Sequence, residues 1–305
     1  MNAASEQIKA EHGSAPARPS SLYTPRLWKA GLSMWKWLPE GLAAFLADAL
    51  GFIYCMVARK RRAVVIENLL PVVSCDRALA SQHCHELLKN FARKLVDLWR
   101  YEAGHDIVPT ALHGWEHFEK ARQHGRGVLL LTPHLGNWEL GAPLMLRKNM
   151  PLLVVTLDEP DPRLTELRKA SRMQRGIETL VIGSDMFAFV ELIRRLEAGA
   201  VVALLVDRPP ASSATTVQLF GKPFPASVAP AELARATGCA LVPVYLPRTR
   251  EGYAAHMLPE IAYDRAALRS PEARVALTQK ILRAFEPAIR DHSNQWYHFV
   301  PIWPR

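Results

Sequence analysis

Cysteine is scarce in this chain: Cys55, Cys75, Cys84 and Cys239 are the only four among 305 residues. Their spacing makes neither a disulfide framework nor a metal-ligand pattern, and it fits a reducing compartment. His83-Cys84-His85 sets three ligand types side by side. Neighbours on a helix point in different directions, so the triplet reads as a helix surface. No metal or redox cofactor is implied. Gly-x-Ser-x-Gly is absent, which removes the nucleophile elbow of an α/β hydrolase. Finger-type Cys/His spacing, aromatic-basic repeats and a recognition helix are absent too, so nucleic acid is not an expected partner. The chain has no internal repeat and, after residue 25, no low-complexity linker. No cleavable signal peptide is evident. The start is small and polar with Pro16 and Pro19, and residues 1–24 are expected to be a disordered tail.

Apolar side chains and positive charge are abundant. Hydrophobic residues make up 49% of the chain, enough core for one large α/β domain or two small ones. The net charge of +9 calls for an anionic partner, such as an anionic membrane surface or an acidic carrier protein. The segment from Leu27 to Arg62 carries Trp28, Trp35 and Trp37, an apolar run over 38–58, and then Arg59-Lys-Arg-Arg62. The run is close to spanning length, at about 18 to 20 residues. Asp48 in its middle argues against a simple lipid-exposed span. Tryptophans at one end and a basic cluster at the other suit a membrane interface. Residues 25–62 are therefore expected to form a membrane-associating helical segment, whether spanning or lying on the surface, with an α/β domain over 63–305.

Residues 76–104 have helical periodicity in Leu87, Leu88, Phe91, Leu95, Leu98 and Trp99. Strand candidates at 127–132, 151–157, 178–182, 200–206 and 240–246 then alternate with helix candidates at 138–147, 163–175, 185–198, 229–237 and 270–290. Such alternation predicts a mostly parallel sheet covered by helices, with functional residues at the carboxyl ends of strands. Pro209, Pro210, Pro223 and Pro225 mark a loop around 207–228.

One such strand end carries Thr132-Pro-His134-Leu-Gly-Asn137-Trp138-Glu139. An imidazole near neutral pH takes a proton from a hydroxyl, and a carboxylate fixes its tautomer and supports its charged form. Residues five apart on a continuous helix do not face each other. The pair works if His134 sits in the turn and Glu139 in the first helical turn. The same residues also suit a polar strand-to-helix loop with Asn137 as N-cap. Asp207-Arg208 follows another strand end, before Pro209, where the residues alone favour an ordinary turn residue.

Taken in order, several short pieces resemble the bacterial lipid A lauroyl/myristoyl acyltransferase family, within the lysophospholipid acyltransferase group defined by His-x-x-x-x-Asp/Glu. They are Arg61 to Asn68-Leu69, Thr132 to Glu139, Arg172-Met-Gln-Arg-Gly176, Leu205-Val-Asp207-Arg208, Leu219-Phe220-Gly221, Ala231 to Gly238 and Asn294-Gln295-Trp296-Tyr297. The resemblance runs over roughly residues 25–300. It implies a glycerol-3-phosphate acyltransferase-like α/β fold with an N-terminal membrane-associated helix, and transfer of an acyl chain from acyl-ACP, or acyl-CoA, to a lipid hydroxyl. It implies His134 and Glu139 as a catalytic dyad and Asn137, Arg172, Asp207, Arg208 and Gly221 as substrate-binding positions. Arg172 would meet a phosphate, Asp207 would position the acceptor or pair with an arginine, and N–H groups near Asn137 would hold the oxyanion. It also implies the cytoplasmic side of a bacterial inner membrane. The departures are Thr156-Leu-Asp158-Glu159-Pro in place of Tyr-Arg-Pro, Arg208 in place of Gln, and no C-terminal His-x-Arg-Trp. They bear on the acceptor: a branch acting on phosphatidylinositol mannosides also has a carboxylate near Glu159.

Overall fold

The computed structural model describes residues 24–159, 161–182 and 186–304, so the expected tail lies outside them except for Thr24. Four helices lead. Helix α1 (Pro25–Trp35) starts with Pro25 and the Thr24 hydroxyl accepting from the Leu27 N–H. Helices α2 (Glu40–Val57) and α3 (Arg59–Leu69) follow. Helix α4 (Arg77–Glu102) begins at Asp76, whose carboxylate accepts from the N–H groups of Ala78 and Leu79. Those two bonds satisfy donors that a helix start otherwise leaves open.

Helix α2 lies along α4 on a stripe of small residues, Ala43, Ala47, Gly51 and Cys55, each one turn from the last. Small side chains at this spacing let two backbones approach. At Gly51 an added Cβ would stand 2.7 Å from Cα of Lys89. Asp48 pairs with Arg93 of α4, which resolves a carboxylate in an apolar helix. The other side of α2 exposes Leu42, Phe45, Leu50, Phe52, Ile53 and Met56. Among the described residues α2 alone is long and apolar enough, at 18 residues, to cross a membrane. The His83-Cys84-His85 triplet is not wholly surface: Cys84 is fully buried with Cys55 and Leu87 in the α2–α3–α4 core.

The rest is a sheet between helices. Its strands are β1 (Ala111–His113), β2 (Val128–Thr132), β3 (Leu152–Leu157), β4 (Glu178–Ile182), β5 (Val201–Leu205), β8 (Ala240–Tyr245), β9 (Arg248–Thr249) and β10 (Gly252–Met257). The order is β1-β10-β8-β2-β5-β3-β4, with β9 paired to β10. Every pair is parallel except β10 with β8 and β9. Helices α5 (Trp115–Arg122), α6 (Gly141–Arg147) and α7 (Pro162–Met173) come before β4, and α8 (Met186–Glu197), α9 (Ala229–Thr237) and α10 (Pro271–Asp291) after it. Strand β2 is buried on both faces, as a central parallel strand must be. Leu129 and Leu131 pack with Leu192 of α8 and Phe285 of α10, while Val128 and Leu130 pack with Phe118 of α5 and Met145 of α6.

The loop expected over 207–228 holds a hairpin instead, β6 (Ala214–Leu219) and β7 (Lys222–Ser227). Its two-residue turn, Phe220-Gly221, has φ of 50° and 72°, the conformation that suits the twist of a tight hairpin. Pro223 and Pro225 stand opposite Gln218 and Thr216, at positions whose N–H would point away from the partner strand. Proline therefore marks the hairpin's outward positions here and does not prevent pairing.

Substituting Gly51→Val should force α2 off α4 and lower the unfolding free energy by about 1–3 kcal/mol. Urea unfolding monitored by circular dichroism measures it, and an unchanged midpoint would mean that the helices are not closely docked.

Candidate active site

Strands β2 and β5 are neighbours in parallel register, with Thr132 opposite Leu205. His134 and Asp207 each come two residues later, so the sheet delivers them side by side. His134 Nδ1 lies 2.6 Å from Asp207 Oδ1, and the His134 backbone N–H donates to Oδ2 at 2.9 Å. The C-terminal segment closes the arrangement from the other side. The Trp296 indole N–H and His298 Nε2 both reach Oδ2 at 3.0 Å. That segment is itself bonded to the His134 turn: Tyr297 N–H donates to the His134 carbonyl at 2.9 Å and Gly136 N–H to the Gln295 carbonyl at 3.0 Å. Gly136 has φ of 65°, and a Cβ there would stand 1.9 Å from the Leu246 carbonyl oxygen, so only glycine fits. Asn68 of α3 holds the segment beyond, donating to the carbonyls of His298 at 3.0 Å and Val300 at 2.8 Å.

Asp207 is the buried hub. Burial alone would raise its carboxyl, but the charge and hydrogen bonds of His134 and His298 hold it well below the usual range. An ionised Asp207 accepts from His134 Nδ1, which leaves the Nε2 lone pair free. Burial pushes His134 down to about 4, with Arg208 acting the same way and Asp207 opposing them. The imidazole is therefore neutral at physiological pH and able to take a proton.

The expected pairing of His134 with Glu139 is corrected. Glu139 accepts from Arg168 at 2.5 Å and from Arg172 at 2.9 and 3.2 Å, two arginines one turn apart on α7. Burial would raise Glu139, but Arg172, Arg168 and Lys94 bring it far below its ordinary value. Asp207, read as an acceptor-positioning or turn residue, is instead the carboxylate behind His134. Its two residues' distance past β5 matches that of His134 past β2, a match that spacing along the chain does not reveal.

Arg172 lines the cavity, and its Nη2 donates to both carboxylate oxygens of Glu139. Arg168 also bonds Glu159 at 2.5 Å. Asn137 is fully buried beside Tyr253, makes no side-chain cap and does not line the cavity. Its N–H is already bonded to the Leu246 carbonyl at 2.8 Å, and that of Gly136 to Gln295, so neither is open to an oxyanion. Gly221 is a hairpin-turn residue at positive φ, outside the cavity lining. Arg208 does line the cavity.

The cavity has a volume of about 600 Å³. Part of its lining is apolar, from Leu130, Val154, Ala203, Val244 and Met257 on one sheet face and Met145 of α6. The lining also holds His134, Glu139, Arg168, Arg172, Arg208 and Lys94. Lys94 escaped the sequence reading because it looks like one more polar helix residue. It is 4% exposed, its ammonium sits 3.5 Å over the Trp138 ring, and that ring stands edge-on to His134 at 4.8 Å. Burial, with the neighbouring arginines, pushes Lys94 down to about 7 against the pull of Glu139. His298 also escaped, although the Gln295-Trp296 match lay beside it.

A mostly parallel sheet with a buried carboxylate–imidazole pair at its strand ends, beside a cavity lined by apolar and by cationic side chains, defines an α/β protein whose imidazole can accept a proton. The family model of the bacterial lipid A biosynthesis acyltransferases matches residues 16–305, and the chain belongs to that family. It is 27% identical over 197 residues to a phosphatidylinositol mannoside acyltransferase of Mycobacterium tuberculosis, a match covering 64% of this chain and 60% of that protein. It is 26% identical over 189 residues to the phosphatidylinositol mannoside acyltransferase of Mycolicibacterium smegmatis, covering 62% and 60%. The matched part thus spans about three-fifths of the length of these curated relatives.

Two carboxylates in different roles should respond differently. Asp207→Asn should lower kcat/KM by roughly 10³-fold or more with the fold retained, because the imidazole loses its tautomer and charge support. Glu139→Gln should lower stability as well, by about 3–5 kcal/mol, since it strips the partner from buried cations. Steady-state rates combined with thermal unfolding separate the two. With His134 held near 4, neutral base persists as pH falls through the ordinary histidine range. The acidic limb of kcat/KM should lie below pH ~5, and a limb near the ordinary histidine value of about 6.5 would contradict the buried geometry.

Proposed function

We propose that this chain transfers a fatty acyl group from an acyl thioester to a hydroxyl of a membrane glycolipid. The observation that carries it is the placement of His134: a neutral imidazole backed by Asp207, at the junction of the apolar and cationic parts of one cavity. The apolar wall takes the acyl chain and the cationic rim the polar headgroup. His134 Nε2 removes the acceptor's hydroxyl proton as the oxygen attacks the thioester carbonyl. The tetrahedral intermediate collapses with departure of the thiolate, which recovers the proton from the imidazolium. Asp207 stabilises that imidazolium, and no covalent intermediate on the protein is required.

The net charge of +9 favours acyl-ACP as donor, because an acidic carrier is steered by a basic surface; acyl-CoA fits the same charge. Family membership and the two relatives support a glycolipid acceptor, either a lipid A precursor or a mannosylated phosphoinositide. Helix α2 lies on the membrane rather than across it in this reading: one side is docked to α4 and carries Asp48 paired with Arg93, while the other is apolar and open. The surface served is the cytoplasmic face of a bacterial inner membrane. A silent, membrane-binding relative of the fold is the second reading, and the intact His134–Asp207 pair speaks against it.

The full chain should be given radiolabelled acyl-ACP and, separately, acyl-CoA with a total membrane lipid extract. A labelled lipid should appear with one donor and fall by at least ~10²-fold in His134→Ala. Equal label with His134→Ala would overturn the mechanism, and no label together with no thioester turnover would favour the silent relative.

A further inference from the structure

Lys94 is a buried cation to which the proposed reaction gives no task. It lines the cavity from α4, at 4% exposure and one turn beyond Phe91. Among the described residues its ammonium donates to no oxygen. What it meets are aromatic rings, with the Trp138 centroid at 3.5 Å and the Phe91 centroid at 5.9 Å. An ammonium taken out of water and set over an indole face is the strong form of this attraction. The contact acts on both partners: it holds the ammonium, and it fixes the ring.

The fixed ring has a second neighbour. Trp138 stands across His134, with centroids 4.8 Å apart and planes at 72°. Asp207 holds one nitrogen of that imidazole, Nδ1, at 2.6 Å. A single hydrogen bond leaves a ring free to rock about the bonded atom, and an edge-to-face neighbour removes that freedom. Nε2, which receives the proton, lies across the ring from Nδ1 and swings with it. We infer that Lys94 is a positioning residue: its ammonium clamps the Trp138 ring, and the ring sets the plane of the His134 imidazole. The inference rests on the reading of His134 as general base. The clamp has a working range. Phe91 and Trp138 face the ammonium, and the charges of Glu139, of Arg168 and Arg172 on α7, and of Arg208 after β5 act on it. Burial and the arginines bring Lys94 down to about 7 against the pull of Glu139. Below that value it is a cation; above it, it is a neutral amine with no cation–π attraction to offer. Glu139 is ionised on both sides.

The test reads the imidazole directly, by NMR on the full chain in neutral detergent with histidine isotope-labelled at Cε1. The His134 resonance is the one that His134→Ala removes. It should shift as pH passes through about 7, where Lys94 loses its charge, and Lys94→Met should abolish that step. A His134 resonance that stays flat across this range in the unaltered chain would overturn the inference, and that result needs no Lys94 variant to fold. In acyl transfer, kcat/KM should fall on an alkaline limb near the same pH. Lys94→Met should lose roughly tenfold in kcat at neutral pH, with the limb gone. Lys94→Arg, which stays charged, should recover most of the rate and extend it into alkaline solution. In a Trp138→Leu background, Lys94→Met should cost little more, because the ring that carries its effect is gone. Circular dichroism checks the folds. A limb that persists in Lys94→Arg, or an equal loss from Lys94→Met with and without Trp138, would overturn the inference. The two claims fail separately. Transfer that depends on His134 but is indifferent to Lys94→Met in rate and pH profile sinks the positioning role alone, whereas the coupled NMR shift without any transfer sinks the reaction.

Discussion

The Asp207 carboxylate is the point on which this structure turns. It accepts from a backbone N–H, an indole and two imidazoles, donated by the end of β2 and by the C-terminal segment. A buried carboxylate so supplied is ionised, and its charge decides which nitrogen of His134 carries hydrogen. The same four bonds tie chain segments far apart in sequence into one unit. The orientation of His134 and tertiary closure therefore use one group, and the C-terminal segment reaches His134 through it.

Glu139 has a comparable burial and a different task. It gathers Arg168 and Arg172 from α7 and, with Lys94 nearby, keeps a group of cations together under the cavity rim. The two buried carboxylates thus divide the site: Asp207 orients His134, and Glu139 gathers the arginines beside it.

Much of this was legible in the sequence, and the reasons for the misses are specific. The five strand candidates all exist, because parallel strands buried on both faces leave continuous apolar runs such as Val128–Thr132. His134 was legible as the polar residue ending such a run. Its partner was not, because sequence shows which carboxylate is near in number, five residues on, and sheet order shows which is near in space. Strand β5 lies beside β2 only after the chain has made β3 and β4, so Asp207 approaches from 73 residues away. Lys94 was hidden for another reason: on a helix read by its apolar periodicity, a polar residue is assigned to solvent by default. The hairpin at 214–227 was missed because its prolines were read as breakers, although an isolated pair leaves outward N–H positions where proline costs nothing.

The pairing of Thr132 with Leu205 has a consequence for how this molecule tolerates change. Two strands advanced in step place imidazole and carboxylate together, so losing or gaining one residue within either strand would move its functional group by about 3.3 Å and turn it to the opposite face. Length changes are thus forbidden within β2 and β5, where each side chain alone looks replaceable by another apolar one. The connections that turn the chain away from the cavity, such as the one around Gly125, stand outside that alignment. A library that varies loop length there while fixing the count of residues in the two strands would explore the fold without disturbing the reagent it carries.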